Sequence, residues 1–313
     1  MKRLFLSACL GLVAVVLVVI LLQGSLLGAE ATTVLFTDDF ESGMDKWTPQ
    51  NDTNVSIVTD GGTQVYSVTN GPASVARSLV TGTAEALTWA DYAVQARVQV
   101  VTGTNFAMLM ARVQDKGNYY FMTVRMNGRV ELRRYRGGAT TLKTVNDVVS
   151  PTTWYTVTLE VDGNNLRGYI NGALVATAVD TSTQALYTGT IGVGTDRATG
   201  WFDDVNVALI PATLRVAKSG TGSGTVSSTP AGISCGITCT ADFDKGTVVT
   251  LTAVPAPAST FEGWGGACLG PGTVIIPGTA SLPPQCVVPM TAAMDVTATF
   301  GTYNIFMPVV SRN

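Results

Sequence analysis

The side chains best equipped for chemistry recur at every second position. Gln95, Arg97 and Gln99 are followed by Phe106, Met108, Met110 and Arg112, then by Tyr119, Phe121, Thr123 and Arg125, and then by Glu131, Arg133 and Tyr135. Carried on neighbouring strands, these residues form one surface of rings and guanidinium groups. Flat rings stack on sugar faces while Arg and Gln hydrogen-bond hydroxyls, so such a surface suits a glycan or polysaccharide. Its expected contact residues are Arg97, Arg112, Tyr119, Phe121, Arg125, Arg133 and Tyr135. A second reading stays open, in which Phe106, Met108, Met110 and Phe121 form a further core layer under a covering loop. Nucleophilic chemistry has less to work with. The chain contains no histidine, which excludes Ser-His-Asp and Cys-His hydrolases and His-ligated zinc.

The elements that must position these residues are strands. Beyond the N-terminal leader no window holds helical periodicity for three turns. Tyr92 to Val100 alternates strictly, with Tyr92, Val94, Ala96, Val98 and Val100 on one face. Tyr120, Met122, Val124 and Met126 share a face in the next run, and Asn127-Gly128 turns the chain into Arg129–Tyr135 as a hairpin. Tyr155–Val161 turns at Asp162-Gly163-Asn164-Asn165 into Leu166–Ile170, and Asn171-Gly172 precedes Ala173–Val179. Strands at this spacing predict an all-β, antiparallel sandwich.

Composition sets the compartment. Lys2 and Arg3 precede the apolar run Leu4–Leu22, and Ala29-Glu30-Ala31 offers a small-x-small cleavage site. Residues 1–31 therefore read as a signal peptide or, uncleaved, as an N-terminal anchor that is the chain's one tie to a membrane. In both cases the remainder lies outside the cytoplasm. Charged residues are 13% of the chain and the net charge is −3 with no basic run, so nucleic acid is not an expected partner. Four of the five cysteines, Cys235, Cys239, Cys268 and Cys286, fall in the last third.

Several ordered motifs carry a resemblance. Asp38-Asp39-Phe40-Glu41-Ser42-Gly43 with Trp47, Asn118-Tyr119-Tyr120-Phe121, Trp154–Val161, Gly168-Tyr169-Ile170-Asn171-Gly172 and Phe202-Asp203-Asp204-Val205 occur in that order. Residues 34–209 thus resemble the concanavalin A-like, laminin-G-like jelly-roll modules of secreted bacterial polysaccharide-active and surface proteins. The resemblance brings an enzyme into view, because family-16 glycoside hydrolases share the fold. A retaining glycosidase needs two carboxyl groups about 5–5.5 Å apart, and that family sets Glu, Asp and Glu at alternating positions of one strand. The nearest match, Glu160-Val161-Asp162, lacks the second Glu and runs into a turn. Some carbohydrate-binding jelly rolls hold structural Ca²⁺ at a similar Phe-Glu start and Asp-Asp-Val end. Carried over by position, Glu41 and Asp203 are the implied ligands, with plain solvation of end-strand charges as the alternative.

After a joint at 210–213, residues 214–300 resemble a divergent internalin-type B-repeat. The resemblance rests on Leu214–Val226, Pro230–Cys239, Val248–Pro255, Phe261-Glu262-Gly263-Trp264-Gly265-Gly266-Ala267-Cys268 and Val296–Phe300. The proline-containing stretch Gly270–Gln285 departs from that pattern. Exported cysteines form disulfides first, and of three possible pairings Cys235–Cys239 and Cys268–Cys286 close local loops. A four-cysteine zinc site wants short pairs at both ends. Residues 301–313 form a tail, either a last strand or a docking segment. The expectation is a non-catalytic, exported, secreted or cell-surface bacterial protein. Its sandwich binds a glycan and its B-repeat spaces or presents it. Two alternatives remain: a polysaccharide-active hydrolase or lyase, and an adhesion component that meets a cell-surface protein.

Overall fold

The computed structural model describes residues 32–303 apart from 51–52, 71–74 and 82–83. The expected leader and residues 304–313 of the tail lie outside the described residues. The first module contains β1 (Val34–Asp38), β2 (Trp47–Gln50), β3 (Asn54–Asp60), β4 (Thr63–Thr69), β5 (Val75–Val80), β6 (Tyr92–Asp115) and β7 (Asn118–Arg125). It continues with β8 (Val130–Arg136), β9 (Ala139–Val145), β10 (Tyr155–Asp162), β11 (Asn165–Ile170), β12 (Ala173–Val179) and β13 (Thr190–Leu209).

Two long strands organise this module. β6 and β13 pair antiparallel from Tyr92 with Leu209 to Thr190 with Val113, and each serves two layers. One layer runs β12-β11-β10-β6-β13-β4-β3, with β1 following β4 along the outer edge of β13. The other runs β9-β8-β7-β6-β13-β5-β2. The strands change layer where Gly103 faces Ala198. Gly103 has φ +116°, and a Cβ there would lie 2.4 Å from Arg197 O and Ala198 Cα, so only glycine fits this corner. The alternating apolar residues of the two layers meet in one core, including Tyr92, Val94, Val98, Leu109, Met122, Leu132, Leu159 and Val193. The opening motif closes one end: Trp47 Nε1 donates to Asp38 Oδ2 at 2.7 Å, and Phe40 stacks on Tyr66 at 5.0 Å.

Ile210 alone separates β13 from the second module. That module contains β14 (Pro211–Ser219), β15 (Gly224–Thr229), β16 (Ser234–Cys235), β17 (Thr240–Asp244) and β18 (Val248–Pro255). β19 (Ser259–Gly266), β20 (Val274–Ile276), β21 (Gln285–Pro289) and β22 (Met294–Thr302) complete it. Sheets β17-β14-β22-β19 and β16-β15-β18-β21-β20 enclose Leu214, Phe243, Leu251, Trp264, Val296 and Phe300. Cys235 is bonded to Cys239 and Cys268 to Cys286. The Gly270–Gln285 stretch supplies edge strand β20, whose Ile275 faces Cys286. The modules touch where Asp162 accepts from Lys245 Nζ, and where Thr33 N donates to Asp244 Oδ2 at 2.8 Å.

Candidate functional site

The outer face of the β9-β8-β7-β6-β13-β5-β2 layer is built in two tiers. The lower tier is apolar. Alternation turns Phe106, Met108 and Met110 of β6, Tyr119 and Phe121 of β7 and Leu79 of β5 outward, where they form a cluster separate from the main core. Tyr119 is 1% and Phe121 2% exposed. The second core layer is therefore the reading that folds, and the expectation that these two rings stack on a sugar is corrected. β13 contributes no side chain here, because Gly194 and Gly192 face Met108 and Met110. A Cβ on Gly194 would lie 2.4 Å from Ala76 O and 2.6 Å from Met108 Cε, so bare backbone lets the methionines fold across the strand.

The upper tier is polar and cationic. Arg125 lies over Phe106 at 4.7 Å, Arg133 over Phe121 at 5.4 Å, and Arg77 over Tyr119 and Tyr135 at 5.5 and 5.2 Å. Arg77 Nε donates to Tyr119 Oη at 2.7 Å, and Tyr119 stacks on Tyr135 at 5.3 Å. Arg125 donates to Glu131 Oε2 at 3.0 Å and to Asn105 Oδ1, and Asn105 in turn donates to Asp196 Oδ2. Arg133 Nη1 stands 3.7 Å from Glu131 Oε2, and its buried Nε has no hydrogen-bond partner. Burial raises the Tyr119 phenol above its ordinary value against the pull of Arg77, and burial lowers Arg125 from its ordinary value.

Of the expected contact residues, Arg125, Arg133 and Tyr135 lie together in this upper tier, with Tyr119 and Phe121 beneath. Arg112 does not belong to it. The β6–β7 register shifts after Ala111, and Arg112 has φ +48°, so its side chain leaves the alternation and enters the interior. It is fully buried and donates to Ala90 O, Leu186 O and Gly163 O and to Asp91 Oδ1. Arg97 lies on the other layer, beyond the Gly103 corner. There it covers Trp154 at 4.6 Å and pairs with Asp203 at 2.9 Å and Asp204 at 3.7 Å. Sequence reasoning missed Arg77, Asn105 and Asp196. Arg77 was within reach, since Val75-Ala76-Arg77-Ser78-Leu79-Val80 sets one guanidinium in an apolar strand.

The carboxylates singled out in the sequence are engaged by protein donors. β1 and β13 do lie side by side, with Asp38 opposite Val205. Asp203, however, accepts from Arg97 and from the Asp204 N–H, and Glu41 Oε1 accepts from Gln64 N. Burial raises the Asp203 carboxyl above its ordinary value. Glu41 lies near enough to Asp203 for its charge to add to that rise, and among the described residues no group of three or more Asp, Glu or Cys could hold a metal. Glu160 is held by Arg167 and Tyr169, and Asp162 by Arg167 and Lys245. On the candidate face, Glu131 and Asp196 are separated by β7 and β6. Arg125 and Asn105 lie between their carboxyl groups, Arg125 donating to Glu131 Oε2 and Asn105 to Asp196 Oδ2.

Two layers bridged by bent β6 and β13 define a concanavalin-like jelly-roll module, followed by a small disulfide-stapled β module. Residues 32–208 match the model of the 3-keto-alpha-glucoside-1,2-lyase-like domain, and the chain belongs to that family. Residues 214–304 match the divergent InlB B-repeat domain, as the internalin resemblance implied. No curated protein matches the chain. Similar solved structures include the carbohydrate-binding module CBM66 from Bacillus subtilis, 19% identical over 53% of this chain and 96% of that one, with TM-score 0.44. They also include a Bacillus licheniformis beta-glucanase, 16% identical over 56% and 98%, with TM-score 0.42.

Proposed function

We propose that the chain is an exported glycan-binding protein that takes its ligand on the arginine-bearing face and does not cleave it. One observation carries this reading. Arg77, Asn105, Arg125, Glu131, Arg133 and Asp196 converge over a rigid apolar floor, which is the pattern of a few placed polar groups on an apolar support. Their donors and acceptors match the hydroxyls of a sugar, and the buried rings serve as support. The B-repeat presents the face, stapled by its two disulfides.

The family's lyase-like name favours a second reading, in which the same face breaks a glycosidic bond. Against it stand the donors that already engage the two carboxylates of the face, Arg125 on Glu131 Oε2 and Asn105 on Asp196 Oδ2. A glycan array with the full chain, run beside an assay for released sugar, separates the two. Binding that weakens about tenfold in Arg125→Ala, a lost charged hydrogen bond, without sugar release, is the expected result. Release that disappears in Glu131→Gln would establish the enzyme, and no binding to any polysaccharide would overturn the glycan reading.

A further inference from the structure

We infer that the glycan taken by this face is acidic, its carboxylate or sulfate groups received by Arg133 and Arg77; this rests on the glycan-binding reading above. Arg133 and Arg77 are short of acceptors, although Asp196 Oδ1 on the same face is itself buried without a hydrogen bond. A guanidinium has five N–H donors and no acceptor. Among the described residues the Arg133 side chain makes no hydrogen bond, its Nε is buried without a partner, and its one carboxylate neighbour stands 3.7 Å away, already bonded to Arg125. Arg77 is 8% exposed, makes one side-chain hydrogen bond, to a neutral phenol, and has no carboxylate within ion-pair distance among the described residues. Burying a guanidinium without a counter-charge is costly, and the rings beneath recover only part of that cost.

The two cations both act on one group, the Tyr119 phenol. They lie over adjoining rings, with the Tyr119 and Phe121 centroids 5.5 Å apart. Like charges acting on one group repel each other, and an anion between them reverses the sign. The planar fork of each guanidinium matches the two oxygens of a carboxylate or sulfate. Among the described residues of the face, the three guanidiniums meet two carboxylates: Glu131, shared by Arg125 and Arg133, and Asp196, which accepts from Asn105 and stands 3.3 Å from Arg197 Nε.

Matched polymers that differ only in charge supply the test. The full chain is titrated with polygalacturonate and its fully methyl-esterified form, and with dextran sulfate and dextran. The expected result is that at least one acidic member binds about tenfold more tightly than its neutral twin, with a preference that shrinks as salt rises from about 0.05 to about 0.5 M. Which pair shows it distinguishes carboxylate from sulfate. Arg133→Gln and Arg77→Gln, checked for folding by melting, remove the preference, while Arg97→Gln on the opposite layer retains it. Equal binding to both members of each pair, or binding to neutral glycans alone, overturns the inference and leaves the glycan reading standing. Binding to no polysaccharide overturns both. The wild-type comparison decides the question even if a variant fails to fold.

Discussion

Arg112 and Arg133 carry the same side chain in opposite circumstances. Arg112 is fully buried and makes four hydrogen bonds, to three carbonyls and Asp91, so it binds the chain to itself. Arg112→Met strands those acceptors, and a loss of about 3 kcal/mol or more is expected. Arg133→Gln removes a charge that makes no hydrogen bond and shares Glu131 with Arg125, and it leaves the melting temperature within a few degrees of wild type. Differential scanning calorimetry on the two variants checks the contrast. Asp180 gives a pH dependence. Burial pushes its carboxyl up, but Arg134, Ser182 and Tyr120 outweigh burial and hold it below the ordinary carboxylate range. Its stabilising contribution is therefore full above the unfolded value of about 3.9 and is lost as pH falls through the lower folded value. Melting temperature should be flat from neutrality to about pH 5 and fall below about pH 4. Asp180→Asn lowers the neutral plateau and flattens that acid limb.

At the scale of elements, β6 and β13 decide which residues share a face. Alternation located both flanks of β6 in the sequence, as well as the β7–β8 hairpin that carries Arg125 and Arg133. It misassigned Arg97 and Arg112 because a period of two holds only while a strand stays straight and in register. Gly103 turns β6 from one layer to the other, and the shift after Ala111 rotates Arg112 inward. Neither event has a hydrophobic signature. Asp196 was out of reach for a related reason, since its place opposite Phe106 depends on a pairing between strands some ninety residues apart in sequence. The glycines of β13 make a prediction of their own. Gly194→Ala sets a methyl group against Ala76 O and Met108 Cε. A backbone oxygen cannot step aside cheaply, so destabilisation of about 1–3 kcal/mol is expected, read by urea denaturation. An unchanged midpoint would mean that the floor is looser than described.

The whole molecule joins a cysteine-free sandwich to a stapled repeat. Their division was legible because composition changes where the cysteines begin, and the B-repeat motifs lie within single strands and turns. The contact of Lys245 with Asp162 was not legible, as it depends on the modules' relative placement. Reduction of Cys235–Cys239 and Cys268–Cys286 should destabilise the second module by about 2–5 kcal/mol and leave glycan binding by the first unchanged. Proteolysis under reducing conditions, followed by mass spectrometry, shows which module opens. The most direct measurement of the central claim is a ¹⁵N–¹H spectrum of the arginine Nε–H groups, recorded while the tightest-binding oligosaccharide from the array is added. Arg77, Arg125 and Arg133 are expected to shift, with Arg133 Nε–H gaining the acceptor it lacks, while Arg97 and Arg112 stay in place. Shifts confined to Arg97, on the opposite layer beside Trp154, would contradict it.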